Sequence, residues 1–433
     1  MQDDTIGKEK RSALGNIFRA LRYRNFRLFF FGQGVSLVGT WIQYTAMSWL
    51  VYRLTHSAFM LGVVGFATQI PSFLFSAFAG VMVDRWNRHR VLVVTQALSM
   101  LQAFILALLT LRGHITVWQI IALGVFIGCV NAVDVPNRQS FIIDMVERKD
   151  NLGNAIALNS FTFNVAKLIG PSAAGILIVL VGEGFCFLIN AISYLFVIAS
   201  LLFMRIEKRK KARNAHLWAG LKEGFAYAFG SAAIRLLLML LAVMSLMGMS
   251  SMVLMPVFVR DILRGGPGTL GFLFACGGVG ALVATVYLAS RKDALTMGNI
   301  IPGSALVFAL GIIGFALSRS VYLSAVLLFI CGFGSMVNMA ASNTILQTIV
   351  EDDKRGRVMS IYTMAFIGLA PVGSLMAGFL ASEITAPNAV IIGGLSCIAA
   401  AVFFFRKVPV LKKSAHLLYQ NIDVVSKGGL IEA

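Results

Sequence analysis

Charge is what this chain has least of. Aspartate, glutamate, lysine and arginine together make up 13% of its 433 residues, where a soluble globular chain carries about a quarter. With apolar residues at 58% and mean hydropathy at +0.82, there is more apolar surface than a soluble core of this size needs. Most of the chain therefore belongs in lipid. No G-x-x-x-x-G-K-[ST] loop is present, and no polar stretch is long enough to hold one, which speaks against ATP-driven chemistry. No His/Glu cluster suggests a metal site and no Ser/His/Asp set suggests hydrolysis, so neither cofactor, metal nor enzymatic activity is expected. The five cysteines (Cys129, Cys186, Cys276, Cys331 and Cys397) stand singly in apolar segments, without disulfide or metal-ligand spacing. They read as small buried hydrophobes.

What is present is a succession of long apolar runs. A crossing of the hydrocarbon takes about 20 apolar residues. That ruler places spans at 28–52, 58–83, 91–111, 117–138, 154–180 and 184–204, then at 233–258, 268–290, 297–318, 321–346, 357–381 and 386–405. The expected architecture is an all-α membrane protein of twelve helices in two six-helix bundles, 28–204 and 233–405. A segment 1–27 precedes them, a linker 205–232 joins them and a tail 406–433 follows. Residues 1–27 are basic and lack a prompt small-residue cleavage site, so they read as no cleavable signal. Ile17, Phe18 and Leu21 recur at helical spacing there, as in an interfacial helix. The tail reads as short and mixed, with one helix around His416–Tyr419.

The net charge of +18 is distributed by topology. With both termini cytoplasmic, inside segments hold 31 of the 37 lysines and arginines, and outside loops hold only Arg53, Arg112, Arg260, Arg264 and Arg319. This obeys the positive-inside rule for an even number of spans. It also argues for a bilayer rather than nucleic acid as the partner of the positive charge. The halves echo each other at an offset of about 203–204: Val146-Glu147 recurs as Val350-Glu351, Gly153 as Gly356, Gly170 as Gly373 and Gly175 as Gly378. Duplicated six-helix halves with a midplane site are a recognised transporter architecture.

Between the second and third spans lies Gly80-Val-Met-Val-Asp84-Arg85-Trp86-Asn87-Arg88-His89-Arg90. Its arginines suit a positive-inside anchor; a glycine followed four residues later by an aspartate suits a latch between helices. The stretch resembles the G-x-x-x-D-R-x-x-R-x-R signature of the major facilitator superfamily. A decayed twin, Arg291-Lys292-Asp293, stands in the second half. In the fourth span Asp134 and Arg138 are spaced i, i+4 and face one side. An unpaired charge in a span costs about 2.5–3.5 kcal/mol on insertion scales, so a partner is expected. The resemblance implies an inside gate of Gly80, Asp84, Arg85, Arg88, Arg90, Asp134 and Arg138, against the plainer reading of static interfacial salt bridges.

The fifth span carries Asn159, Asn164, Lys167, Gly170, Pro171 and Gly175. The glycines and small residues let a neighbouring helix approach closely, and the Gly-Pro pair is similar to the fifth-helix motif of superfamily exporters. Lys167 must face a cavity or a structural partner. Other span amides (Gln33, Gln43, Gln69, Asn338, Asn343 and Gln347) either tie helices together or line a path. Those assigned to a substrate path are Gln33, Asn159, Asn164, Lys167, Asn338 and Asn343. Together, Asp-x-Pro-x-Arg-Gln from Asp134, Asn-Ala-Ile-Ala-Leu-Asn-Ser from Asn154 and Lys-x-x-Gly-Pro from Lys167 resemble one branch of the superfamily. That branch includes the bacterial enterobactin exporter and macrolide-type drug efflux proteins.

The resemblance implies a monomeric secondary transporter of the bacterial plasma membrane that exports small amphipathic molecules by alternating access, with protons as counter-ion. The proton carrier stays open between Asp134 and Lys167, with a coupling weaker than the family's as the third alternative. A lysolipid flippase on the same fold and a non-transporting scaffold or sensor are the alternatives.

Overall fold

The computed structural model describes residues 18–146, 151–205, 225–291 and 294–428; within these, the side chains of 76–85, 289, 294–297, 299, 352, 353 and 409–428 lie outside the description. The described chain is helical and contains no strand. In lipid every backbone N–H and C=O must find its partner inside the segment, and apolar runs of this length do so as helices. The helices are α1 (Arg24–Thr55), α2 (Ala58–Arg85), α3 (Arg88–Leu111), α4 (Val117–Met145), α5 (Leu152–Val181) and α6 (Glu183–Leu202). They continue with α7 (Ala232–Ile262), α8 (Pro267–Ala289), α9 (Ala294–Leu317), α10 (Val321–Ile349), α11 (Lys354–Ile384) and α12 (Ala386–Gly428). Among the described residues, eleven helices are long and apolar enough to span a bilayer. The first helix, at 32 residues, has the length but carries Gln33, Ser36, Gln43 and Thr45 on its buried side. It completes an all-α membrane protein of twelve helices.

Helices overrun the apolar runs that announce them. The fourth reaches Met145, two turns beyond the expected end at 138, and so takes in Asp144. The twelfth continues as backbone helix to Gly428, with no break at the boundary expected at 406. Residues 1–17, most of the linker (206–224), Lys292 and Asp293 lie outside the described residues. Of the expected N-terminal helix, Arg19–Arg22 forms a single 3-10 turn.

The chain divides into two compact units, Met1–Leu54 with Ala67–Arg213, and Thr55–Phe66 with Asn214–Ala433. Residues 55–66 group with the second unit because the start of α2 lies against α11. A Cβ at Gly62 would stand 2.7 Å from the Ser374 carbonyl oxygen and 3.0 Å from Gly378 Cα.

In the first unit α3 packs against α4 and α6. A core of Phe26, Phe29, Leu92, Phe141, Met145, Val197 and Leu201 closes around that contact. Gly182 makes the turn from α5 to α6 at φ +84°, a left-handed conformation that a side chain would strain.

In the second unit, α7 and α11 depart from regular helix at Met244–Gly248 and Met364–Gly368, where each widens by one π turn. Hydroxyls enter the helix ladder there: Ser245 Oγ donates to the Phe366 carbonyl at 2.5 Å and Ser250 Oγ to the Ser245 carbonyl at 2.6 Å. Pro371, which lacks an N–H, starts the regular turns that follow in α11, whereas in α7 a 3-10 stretch (Met249–Leu254) precedes Pro256 and a second π turn (Phe258–Ile262) follows it.

Candidate functional site

The basic hairpin is a two-residue joint. The second helix ends at Arg85, Trp86 and Asn87 connect, and the Asn87 side chain caps α3 by accepting the Arg90 N–H at 3.2 Å. That bond satisfies one of the N–H groups a helix start leaves without a partner. His89 Nε2 stands 2.7 Å from the Leu201 carbonyl of α6, and Asn137 of α4 donates to the Arg88 carbonyl at 2.9 Å. The joint is therefore tied to two other helices. Arg90 is exposed. Gly80, Asp84 and Arg85 belong to the last turns of α2, where the backbone is described and the side chains are not.

Of the expected gate cluster, the structure joins Asp134 to Arg138, and among the described side chains Arg88 meets Asp144. Arg88 Nη1 lies 3.3 Å from Asp144 Oδ2 and donates to the Ser140 carbonyl at 3.4 Å. Asp144 was not legible as a partner because the hydropathy ruler stops the fourth span before it.

The Asp134 carboxylate is 3% exposed and is held by neutral donors from α3: Thr95 Oγ1 at 2.7 Å and Gln96 Nε2 at 2.8 Å, both to Oδ1. Arg138 Nε approaches the other oxygen at 3.7 Å, an ion pair rather than a hydrogen bond. The two short bonds fix the carboxylate; the guanidinium supplies the compensating charge. Gln96 Oε1 and Asn137 Oδ1 are buried beside this site without a hydrogen-bond partner.

Two turns along α3, Gln102 Oε1 accepts from Gln43 Nε2 at 3.0 Å, and Gln43 Oε1 accepts from Asn190 Nδ2 at 2.8 Å. Ser193 Oγ donates to Asn190 Oδ1 at 3.1 Å. These buried amides tie α1, α3 and α6 together. Sequence reasoning singled out Gln43 but missed Thr95, Gln96, Gln102 and Asn190. The signal was available: Thr95, Ser99 and Gln102 fall at i, i+4 and i+7, one polar stripe inside an apolar span.

On α5, Gly170 lies against α1. A Cβ there would overlap the Trp41 side chain and stand 3.1 Å from the Val38 carbonyl oxygen. Pro171 and Gly175 are buried in the same stretch. One turn before Gly170, Lys167 places its ammonium 5.8 Å from the centroid of the Trp41 ring. Phe163 meets the same ring edge-on at 5.9 Å, and Tyr44 lies 6.0 Å from it. Lys167 is exposed at the middle of a 30-residue helix.

The remaining substrate-path candidates are scattered. Asn159 and Asn164 are partly exposed on α5, and Asn164 donates to its own helix at Ser160. Gln33 and Asn338 are buried, Asn338 donating to the Ile301 carbonyl at 3.1 Å. That bond makes Asn338 a tie between α9 and α10. Asn343 is partly exposed and accepts from Gln347 at 2.9 Å.

Twelve helices, eleven of them apolar enough to span a bilayer, with charge pairs inside the spans define the class: a multi-pass membrane protein. The family "transmembrane secretion effector" matches residues 16–424, and the chain belongs to this family of the major facilitator superfamily, whose members are transporters rather than enzymes. It is 27% identical over 399 residues to the staphyloferrin A transporter of Staphylococcus aureus, covering 90% of this chain and 99% of that one. It is 24% identical to the multidrug efflux pump Tap of Mycolicibacterium fortuitum, over 81% and 86% of the two chains. With the enterobactin exporter EntS of Escherichia coli it shares 23% identity over 87% and 90%. Among solved structures it resembles a bacterial homologue of the lysosomal transporter Spinster, with TM-score 0.68 at 14% identity over 92% and 98% of the chains. It also resembles a transporter of the POT family, with TM-score 0.71 at 12% identity over 90% and 96%.

Proposed function

We propose that this transporter exports small amphipathic molecules, of drug or siderophore type, across a bacterial plasma membrane by alternating access, with protons moving the other way and both termini in the cytoplasm. The relatives named for siderophore and multidrug transport support the cargo class. The observation that carries the mechanism is the setting of Asp134, a buried carboxylate with two neutral donors and one arginine.

A carboxylate so placed can hold a proton without losing its neighbours. Ionised, it accepts from Thr95 and from the Gln96 NH2 group. Protonated, it can donate to Gln96 Oε1, the oxygen now without a partner, once the amide turns over. Protonation also removes the charge that holds Arg138, and Arg138 is then the group free to re-pair. One proton is thereby coupled to the breaking of one ion pair, which is what an inside gate driven by a proton gradient requires.

Export itself is tested in a bacterium stripped of its own pumps. Expression of the chain is expected to lower the steady-state accumulation of amphipathic dyes several-fold. Equal accumulation with and without the protein in the membrane contradicts the proposal.

A second reading, lysolipid flipping, is favoured by a groove of about 650 Å³ beside α3 and α4. Trp86, Asn87 and Arg90 form its polar end, and Val94, Leu98, Phe126 and Val133 its apolar length. It requires protein-dependent transfer of fluorescent lysolipid between leaflets of reconstituted vesicles.

A further inference from the structure

Three acidic side chains are described in the spans of the first unit, and each has an arginine. Asp134 has Arg138, Asp144 has Arg88, and Glu183 has Arg53 at 2.8 Å. These pairs cancel. Lys167 has no carboxylate within ion-pair distance among the described residues; its neighbour is the face of Trp41. A cation over an aromatic ring gains less than a mid-span lysine costs. The aromatic contact alone does not account for the charge.

Ile169, Ile176 and Leu180 form one exposed apolar stripe of α5. At about 100° per residue they lie roughly 140–180° around the helix from Lys167, while the exposed Ile156 and Val181 share its side about three and four turns away. On the Lys167 side stand exposed Ser160 and Phe163, partly exposed Asn164, and Tyr44 of α1 at 40% exposure. At the level of Lys167 that face is polar and aromatic.

We propose that Lys167, flanked by Trp41, Tyr44 and Phe163, is the anion-binding element of the transport path and selects carboxylate-bearing amphipathic substrates over cationic ones. This rests on the export reading above. The ammonium pairs with the carboxylate of the cargo, and the rings cover its flat apolar part. A net positive site, with no carboxylate beside it among the described residues, rejects a cation by like-charge repulsion.

The test uses two dyes on one xanthene scaffold, anionic carboxyfluorescein and a cationic rhodamine ester, with purified full-length protein in proteoliposomes. The wild type is expected to move the anion faster. Lys167→Gln is expected to lower the anion-to-cation rate ratio at least about tenfold, a change of ~1.4 kcal/mol in discrimination, and Lys167→Arg to restore most of it. A wild type that prefers the cation, or a ratio unchanged in Lys167→Gln, overturns the inference and leaves export standing. If neither dye moves, carboxyfluorescein binding to the same purified protein decides. Binding weakened in Lys167→Gln and recovered in Lys167→Arg sustains the inference, and equal binding in all three overturns it.

Discussion

Asp134→Asn is expected to destabilise the protein more than the double replacement Asp134→Asn with Arg138→Gln. The single change leaves a guanidinium in a helix interior with its compensating charge gone. Breaking a buried pair from one side costs about 3–5 kcal/mol, while removing both partners is often close to neutral. The long 3.7 Å approach of Arg138 puts the single variant near the low end of that range. The carbonyl oxygen of an asparagine at this position can still accept from Thr95 and Gln96, so the short bonds do not decide the outcome. For a unit of this size ~3 kcal/mol corresponds to a fall in melting temperature of about 6–12 °C, with the double variant recovering at least half. Melting in detergent checks this, and a double variant no better than the single one contradicts it. Transport separates from stability: both variants are expected to lose proton-coupled export, because neither can carry a proton at position 134.

Gly170→Leu is expected to separate α5 from α1 and to abolish transport. The position has no room for a Cβ, and one of its obstacles is backbone, the Val38 carbonyl. Backbone cannot rotate away as a side chain can. Overpacking of this kind typically costs about 1–3 kcal/mol. The larger consequence is geometric, since Trp41 and Lys167 meet across the same helix contact. Gly153, near the start of the same helix, supplies the comparison: a Cβ there meets nothing within 4 Å. Gly153→Ala is expected to leave melting within about 1 kcal/mol of wild type. Efflux and thermal melting of the two variants side by side check the contrast; equal behaviour contradicts it.

The helix count was legible because hydropathy reports directly on lipid. Helix ends were less so, because an apolar ruler stops at the first charges while the helix continues past the hydrocarbon edge. The fourth helix shows the consequence. Its extra turns carry Asp144, and with Asp144 goes a partner of Arg88. The Asp134–Arg138 pairing was legible from i, i+4 spacing alone. That Thr95 and Gln96 hold Asp134 was not, since a bond from α3 to α4 has no signature in either helix by itself. The nearness of Gly170 to another helix could be read from its lack of a side chain, but not that the other helix is α1. The π turns of α7 and α11 were also hidden, and the bond that joins them there, from Ser245 to the Phe366 carbonyl, spans more than a hundred residues.

Inverted membrane vesicles, acidified inside and read by a quenched fluorescent amine, test the coupling of export to protons through Asp134 most directly. Addition of a transported compound is expected to relieve the quench in vesicles holding the wild-type protein and to leave it unchanged with Asp134→Asn. If the compound accumulates without disturbing the gradient, or Asp134→Asn relieves the quench as wild type does, the coupling assigned to Asp134 is wrong.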